Sequence, residues 1–171
     1  MTIKIVRIDD RLIHGQIVQG WLKTVDVDKI LIISDEVAND EMQQILLSMA
    51  VPSSVKLVIK SIKDATYEIS NEVYEQDKLM ILFSNPQDAV RMIDNGIKFQ
   101  SINIGGMHYS HGKKQLLANL SVDKNDVIAF LKLVDCGIEL ETRALPQDDR
   151  YNAVNDIRKE AELLGINNKE C

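Results

Sequence analysis

Four residues able to do chemistry crowd into the stretch "DDRLIH": Asp9, Asp10, Arg11 and His14. They sit inside "VRIDDRLIHGQIVQGW", residues 6–21, at what reads as a first strand-to-helix turn. An imidazole nitrogen can attack phosphorus and hold the group covalently. It must be neutral to do so, and an adjacent arginine and helix N-terminus both disfavour imidazolium. Once a phosphoryl group is attached, the same positive features stabilise its charge. Arg11 offers a planar fork that matches phosphate. His14 falls at or just before the start of the helix, where backbone N–H groups lack partners and can bind an anion. Gly15 allows close approach to that backbone, and Gly15 and Gln16 join Arg11 as candidate phosphate contacts. Asp9 or Asp10 could orient one ring nitrogen and set the tautomer. The competing reading is a solvated turn, with an aspartate capping the helix and Arg11 paired to it.

Positioning such a turn requires a rigid scaffold, and the chain alternates apolar runs with amphipathic stretches. Strands are predicted at 3–8, 29–34, 55–60, 78–84, 101–106 and 138–145, with a short one near 115–121. Helices are predicted at 15–24, 39–50, 62–75, 86–96, 124–137 and 147–165. Pro86 suits a first helical position, and Gly96 and Gly137 suit helix ends. The helix at 39–50 has an acidic first turn, as the helix dipole favours. Near-continuous β-branched runs imply a sheet covered on both faces. Alternation with helices implies a single-domain, open, doubly wound, mainly parallel α/β sheet over residues 1–171. In such sheets functional loops lie beyond the carboxyl ends of the strands, where strand order reverses. That rule selects "DDRLIHG", "SNP" and "GGMHYSHG".

Composition narrows the function. Lys plus Arg number 20 against 26 Asp plus Glu, a net charge of −6. A general nucleic-acid binder needs a basic face, so that class is set aside. Cys136 and Cys171 have no metal-ligand spacing and suggest free thiols in a reducing compartment. The opening residues are too charged for a signal peptide, and no apolar run approaches a membrane span. A soluble, cytoplasmic protein is expected, meeting the membrane only through partners.

The stretch "RIDDRLIHGQIVQGW" closely resembles the enzyme IIB component of the mannose/fructose/sorbose family of the sugar phosphotransferase system. "ILIISDEVANDEMQQILLSMAVP", "LFSNPQDAVRMIDNG", "INIGGMH" and "ETRALPQDD" extend the resemblance along nearly the whole chain. The resemblance implies a phosphoryl carrier on an open, mainly parallel α/β sheet. It implies that the group comes from a phosphohistidine on enzyme IIA. It implies, too, that the group rides on His14 through Nδ1, with Arg11 beside it. Delivery would be to a sugar entering through the IIC and IID membrane proteins. No cofactor or metal is implied. The IIB unit is expected to stand alone, without a fused IIA domain.

The other loops then gain roles. Ser84 could bond phosphoryl oxygens or cap the helix at Pro86. Gly105 and Gly106 could permit tight backbone approach or merely shape a turn. Trp21 reads as core, and Met107 and Tyr109 could touch a partner. His108 and His111 are expected to be neither phosphoryl acceptors nor metal ligands. Three rival classes fit less well. A histidine phosphatase or phosphomutase places Arg directly before His-Gly, whereas Leu12 and Ile13 intervene here. A response-regulator receiver needs an acceptor aspartate after strand three, where this chain has "VIKS". A dinucleotide site needs G-x-G-x-x-G in the first turn, which is missing.

Overall fold

Five of the apolar runs become parallel strands because each has apolar side chains to bury on both faces, and a sixth parallel strand, Glu139–Thr142, buries Leu140 between polar neighbours. A computed structural model describes residues 1–166. The parallel strands are β1 (Thr2–Asp9), β2 (Lys29–Ile33), β3 (Lys56–Lys60), β4 (Lys78–Phe83), β5 (Ser101–Gly106) and β8 (Glu139–Thr142). A short antiparallel strand, β9 (Tyr151–Asn152), completes one sheet in the order β3-β2-β4-β1-β5-β8-β9. A separate hairpin, β6 (Lys114–Leu117) with β7 (Leu120–Val122), stands where one short strand was expected.

The helices are α1 (Leu22–Thr24), α2 (Asp35–Ala38), α3 (Glu41–Ala50), α4 (Ile62–Ser70), α5 (Pro86–Asp94), α6 (Lys124–Asp135) and α7 (Val154–Leu163). Side-chain caps start many of them: Ser34, Asp40, Ser61, Asn85 and Asp123 each accept a first-turn N–H. Each such cap is worth about 1 kcal/mol. Alternate residues of the strands feed two cores. Val6, Ile8, Leu31, Ile81 and Ile104 pack against α4, α5 and α6. Ile30, Ile32, Met80 and Leu82 pack against Leu12, Ile17, Trp21 and Leu47 on the other face.

The topology places the loops. The chain steps from β1 to β2 to β3 in one direction, then returns through β4, β5 and β8 in the other. β1 therefore lies between β4 and β5, and the loops after all three strands adjoin. This is the reversal of strand order at which doubly wound sheets present their sites.

Several elements depart from the sequence reading. The helix expected at 15–24 begins as a π-helix, Gln16–Trp21, before the single α turn of α1. The helix expected at 62–75 stops at Ser70, because Tyr74 folds back to bury itself and bond Glu68. The strand expected at 138–145 stops at Thr142. The helix expected at 147–165 begins only at Val154, because Tyr151 and Asn152 pair with Thr142 and Glu141 instead. Ser84 does not cap α5; Asn85 does. The exposed Cys136 is a free thiol, and Cys171 lies outside the described residues.

Candidate active site

A row of polar side chains crosses the sheet beneath the first turn. Period-2 alternation puts Arg7 and Asp9 on the same face of β1. Register sets Arg7 beside Asn103 of β5, and Asn103 beside Glu141 of β8. All four of these side chains are buried. Arg7 Nη1 donates to Asn103 Oδ1 at 2.6 Å and to the Arg143 carbonyl at 3.0 Å. Its Nη2 donates to Asp9 Oδ2 at 2.8 Å and to Gln16 Oε1 at 3.0 Å. Asn103 Nδ2 donates to Glu141 Oε1 at 3.2 Å, and Arg143 grips the same carboxylate. The guanidinium groups of Arg7 and Arg143 both lie over the Trp21 ring, 5.4 and 5.2 Å from its centroid. Trp21 Nε1 donates to the Ala144 carbonyl at 2.9 Å. Trp21 is thus core, as expected, and also the platform that holds two cations in place.

Glycine at position 105 is required by this arrangement. The β1–β5 register slips between Ile8 and Asp9, pairing Ile8 with Ile104 and Asp9 with Gly106. The bypassed Gly105 faces the Arg7 guanidinium, and a Cβ there would sit 1.8 Å from Cζ. Close approach to a side chain, rather than a turn, explains this glycine.

Asp9 is the link between that row and His14. Its Oδ2 lies 2.9 Å from His14 Nε2, and its Oδ1 accepts the Arg11 backbone N–H at 3.2 Å. Burial alone would raise the Asp9 carboxyl, but the His14 hydrogen bond and the Arg7 charge outweigh it and hold it below its ordinary value. Burial pulls the Arg7 guanidinium down, with Asp9 opposing; it remains a cation. A carboxylate can only accept, so the His14 proton sits on Nε2. Nδ1 is left with its lone pair, facing only a long 3.4 Å contact from the Gln16 N–H.

The other candidates distribute around this pair. Arg11 carries its side chain outward, 46% exposed, with Nε 3.9 Å from Asp9 Oδ1. Leu12 makes the loop turn in the left-handed region, φ +54°, and buries its side chain. A Cβ on Gly15 would meet nothing, so the ground beside His14 is open. Gln16 turns its side-chain oxygen to Arg7, not outward. Asp10 does not touch His14. Its carboxylate takes His108 Nδ1 and the His108 N–H, both at 2.7 Å, and ties the first loop to the loop after β5. Of the two acids, the orienting contact belongs to Asp9. Ser84 Oγ accepts from Asn85 Nδ2 at 3.1 Å and makes no hydrogen bond to the cluster among the described residues. A cleft of about 330 Å³ opens alongside, with Arg11, Gln16, His108, Tyr109 and Asn119 on its walls.

The sequence reading missed Arg7, Asn103, Glu141 and Arg143. A signal existed: "VRID" and "INIG" break apolar strands with polar residues, and "ELET" is mostly polar. Sheet neighbours that each bury one polar group are best read as partners.

Fold and site together define an α/β domain with a carboxylate-held histidine beyond the carboxyl ends of its strands. Residues 3–167 match the family described as PTS system sorbose subfamily IIB component. The chain is 39% identical over 159 residues to the mannose-specific EIIAB component of Escherichia coli K12, covering 93% of this chain and 49% of that protein. It thus spans about half the length of that curated relative. It is 38% identical over 158 residues to the fructose-specific EIIB component of Bacillus subtilis 168, covering 92% and 97% of the two chains. The crystal structure of the IIBSor domain of the Klebsiella pneumoniae sorbose permease superposes with a TM-score of 0.87 at 37% identity, covering 93% and 98%. The chain belongs to the sorbose subfamily of phosphotransferase-system IIB components. IIB components are phosphotransferases that carry a phosphoryl group in sugar uptake. The receiver-module and phosphatase readings gain no support from these relatives.

Proposed function

We propose that this chain carries the phosphoryl group on His14 Nδ1, receiving it from a phosphohistidine on a IIA protein and passing it to a sugar. The reading rests on one observation above others: Asp9 occupies Nε2 at 2.9 Å, leaving Nδ1 as the nucleophile. In the first transfer the Nδ1 lone pair forms the bond to phosphorus. The donor's P–N bond breaks, and its electron pair returns to the donor imidazole. The proton on Nε2 stays with the Asp9 hydrogen bond throughout. In the second transfer a sugar hydroxyl oxygen attacks phosphorus, the P–Nδ1 bond breaks with its electron pair returning to the His14 ring, and the hydroxyl proton passes to water. Little proton chemistry falls to the carrier, so positioning and charge stabilisation do the work.

Arg11 is the mobile cation for the phosphoryl oxygens, and its exposure lets it meet a group arriving from outside. The Gly15 and Gln16 N–H groups supply further donors. Ser84 stands at the adjoining loop as a lesser contact. The IIA protein approaches over this face, and IIC and IID present the sugar there as it crosses the membrane. Among the described residues no helix is long and apolar enough to cross a membrane. The protein works in the cytoplasm and meets the membrane through those partners.

The test is incubation with the general phosphotransferase proteins and a phosphorylated IIA, followed by peptide mapping of acid-labile phosphate. Uptake assays then run mannose, fructose, sorbose and an amino sugar as acceptors. Phosphate on the peptide holding His14, discharged by one of these sugars in the presence of the membrane proteins, supports the reading. Phosphate on another residue ends it.

Arg11→Gln should slow transfer by on the order of 10²-fold, the loss of one fork of charge-assisted donors in the transition state. Its half-exposed side chain makes only a long contact with Asp9, so stability should change by at most about 1 kcal/mol. Rapid-quench rates and denaturant melts on one sample measure both. An unchanged rate with a large stability loss would make Arg11 a structural residue instead.

A further inference from the structure

Helix α3 turns its apolar stripe toward solvent. Met42, Ile45, Leu46 and Met49 are 66, 55, 60 and 78% exposed. Leu47 is the one residue of the helix that is buried. The spacing of the four is that of a single helical face. Beside the helix, edge strand β3 leaves a groove of about 500 Å³, lined by Glu41, Gln44, Ile45, Ser48, Leu57 and Ile59. The four stripe side chains alone expose on the order of 500 Å², at the upper end of what a monomer ordinarily shows in one patch. A stable protein interface takes roughly 800 Å² per partner, and the stripe supplies more than half of that.

We propose that α3 is a self-association face, on which a second copy of this chain packs its own α3 antiparallel about a two-fold axis near Ile45 and Leu46. Charge selects this occupant. The chain carries a net charge of −6, so most pairings of two copies bring like charges together. From Met42 to Val55 there is no charged residue. Two acidic copies can meet here without opposing carboxylates. The first charges beyond the stripe differ in sign, Asp40 and Glu41 at its start and Lys56 past its end. Antiparallel pairing brings the acidic end of each helix toward the Lys56 end of the other. A single stripe meeting its copy is the self-complementary contact that two-fold symmetry demands, and the groove beside β3 receives the partner's projecting side chains. A membrane surface fits poorly, because helices that lie on anionic lipid flank their apolar face with Lys and Arg. α3 contacts α2 and sets Leu47 into the core cluster with Ile30 and Ile32 of β2, and β4 separates β2 from β1. Association there leaves His14 open.

Sedimentation velocity across a concentration series tests the proposal, with thermal melts to show that each variant is folded. Wild type should shift from monomer to dimer as concentration rises. Leu46→Glu and Leu46→Lys should each weaken the dimer at least about 100-fold, by setting like charges against each other. An equimolar mixture of these two variants should recover dimer, because Leu46 meets its own copy near the axis. Phosphorylation by IIA should stay at the wild-type rate in both. A wild type that stays monomeric to millimolar concentration overturns the proposal. So does a dimer that survives both substitutions, or a mixture that fails to associate. Binding to anionic vesicles that Leu46→Glu abolishes, in place of dimerisation, would assign the stripe to lipid and overturn it equally.

Discussion

His14→Ala should accept no acid-labile phosphate at all. The chain has three histidines, and the other two stand in the loop after β5, where His108 Nδ1 is held by Asp10. Among the described residues, neither has a buried carboxylate fixing its tautomer with Nδ1 free. The variant should still fold. His14 contributes one hydrogen bond to Asp9, and Asp9 keeps its contacts to Arg7 at 2.8 Å and to the Arg11 N–H at 3.2 Å. The stability loss should be about 1.5–3 kcal/mol, the usual net worth of a hydrogen bond to a charged group. Mass spectrometry after incubation with phosphorylated IIA measures the first quantity and a urea melt the second. A stoichiometric phosphohistidine in this variant would move the acceptor elsewhere in the chain.

Arg7→Met should be the most destabilising single change at the site, and its cost should depend on pH. Arg7 and Asp9 are both fully buried, and removing one partner of a buried pair strands the other charge. The expected loss at pH 7 is about 3–5 kcal/mol, or a fall in Tm on the order of 10 °C for a chain of this size. In the wild type the Asp9 carboxyl lies below its ordinary value, because the His14 bond and the Arg7 charge overcome burial. A carboxyl depressed in the folded state stabilises it above the unfolded value of about 3.9, and that contribution drains away as pH falls through the depressed folded value. Without Arg7, burial loses one of its main opponents, so the Asp9 carboxyl rises and takes up its proton at higher pH. The difference between variant and wild type should therefore shrink markedly between pH 7 and pH 4. Asp9→Asn in the same background should recover part of the loss at pH 7, because it removes the stranded charge. Urea melts at both pH values on the single and double variants check this. An Arg7→Met cost that is the same at both pH values would show that Arg7 acts by packing and not by charge.

The same pair explains why the loop can be both exposed and exact in its chemistry. His14 is partly exposed, as a group that exchanges a phosphoryl group with partners would have to be. Its orientation comes from beneath, through Asp9, from groups that solvent never reaches. Arg7 is in turn fixed by Asn103, the Arg143 carbonyl, Gln16 and the Trp21 ring. Damage far along the chain should be felt at His14 for this reason, since Arg143 and Trp21 hold Arg7 in place.

Much of this protein was legible in its residues. The strands at β1, β2, β4 and β5 lie within a residue or two of where apolar runs place them, because fully buried parallel strands are near-continuous apolar runs. The doubly wound class, and the meeting of the loops after β1, β4 and β5, follow from alternation and from the handedness of crossovers. "DDRLIHGQ" marked the family, and it is the loop on which the proposed chemistry rests. Boundaries set by tertiary contact were not legible. Tyr74 ends α4 by burying itself, and Tyr151 leaves a helical pattern to pair with Thr142.

The choice between Asp9 and Asp10 shows where the two kinds of information part. By itself the sequence determined that acids, an arginine and a histidine share one turn at the carboxyl end of a strand. Spacing along one chain segment carries that much. Asp9 closes β1 on the face that carries Arg7, whereas Asp10 opens the turn, so the two acids are set in different surroundings. Only the assembled sheet decided which of them reaches His14. Arg7, 96 residues from Asn103 in sequence, pairs with it through strand register. The resulting buried cation draws Asp9 beneath His14, while Asp10 is left to His108 across the loops. Register between distant strands is a property of packing. No local pattern contains it, because the partner that settles the energy of a buried charge is supplied by another part of the chain.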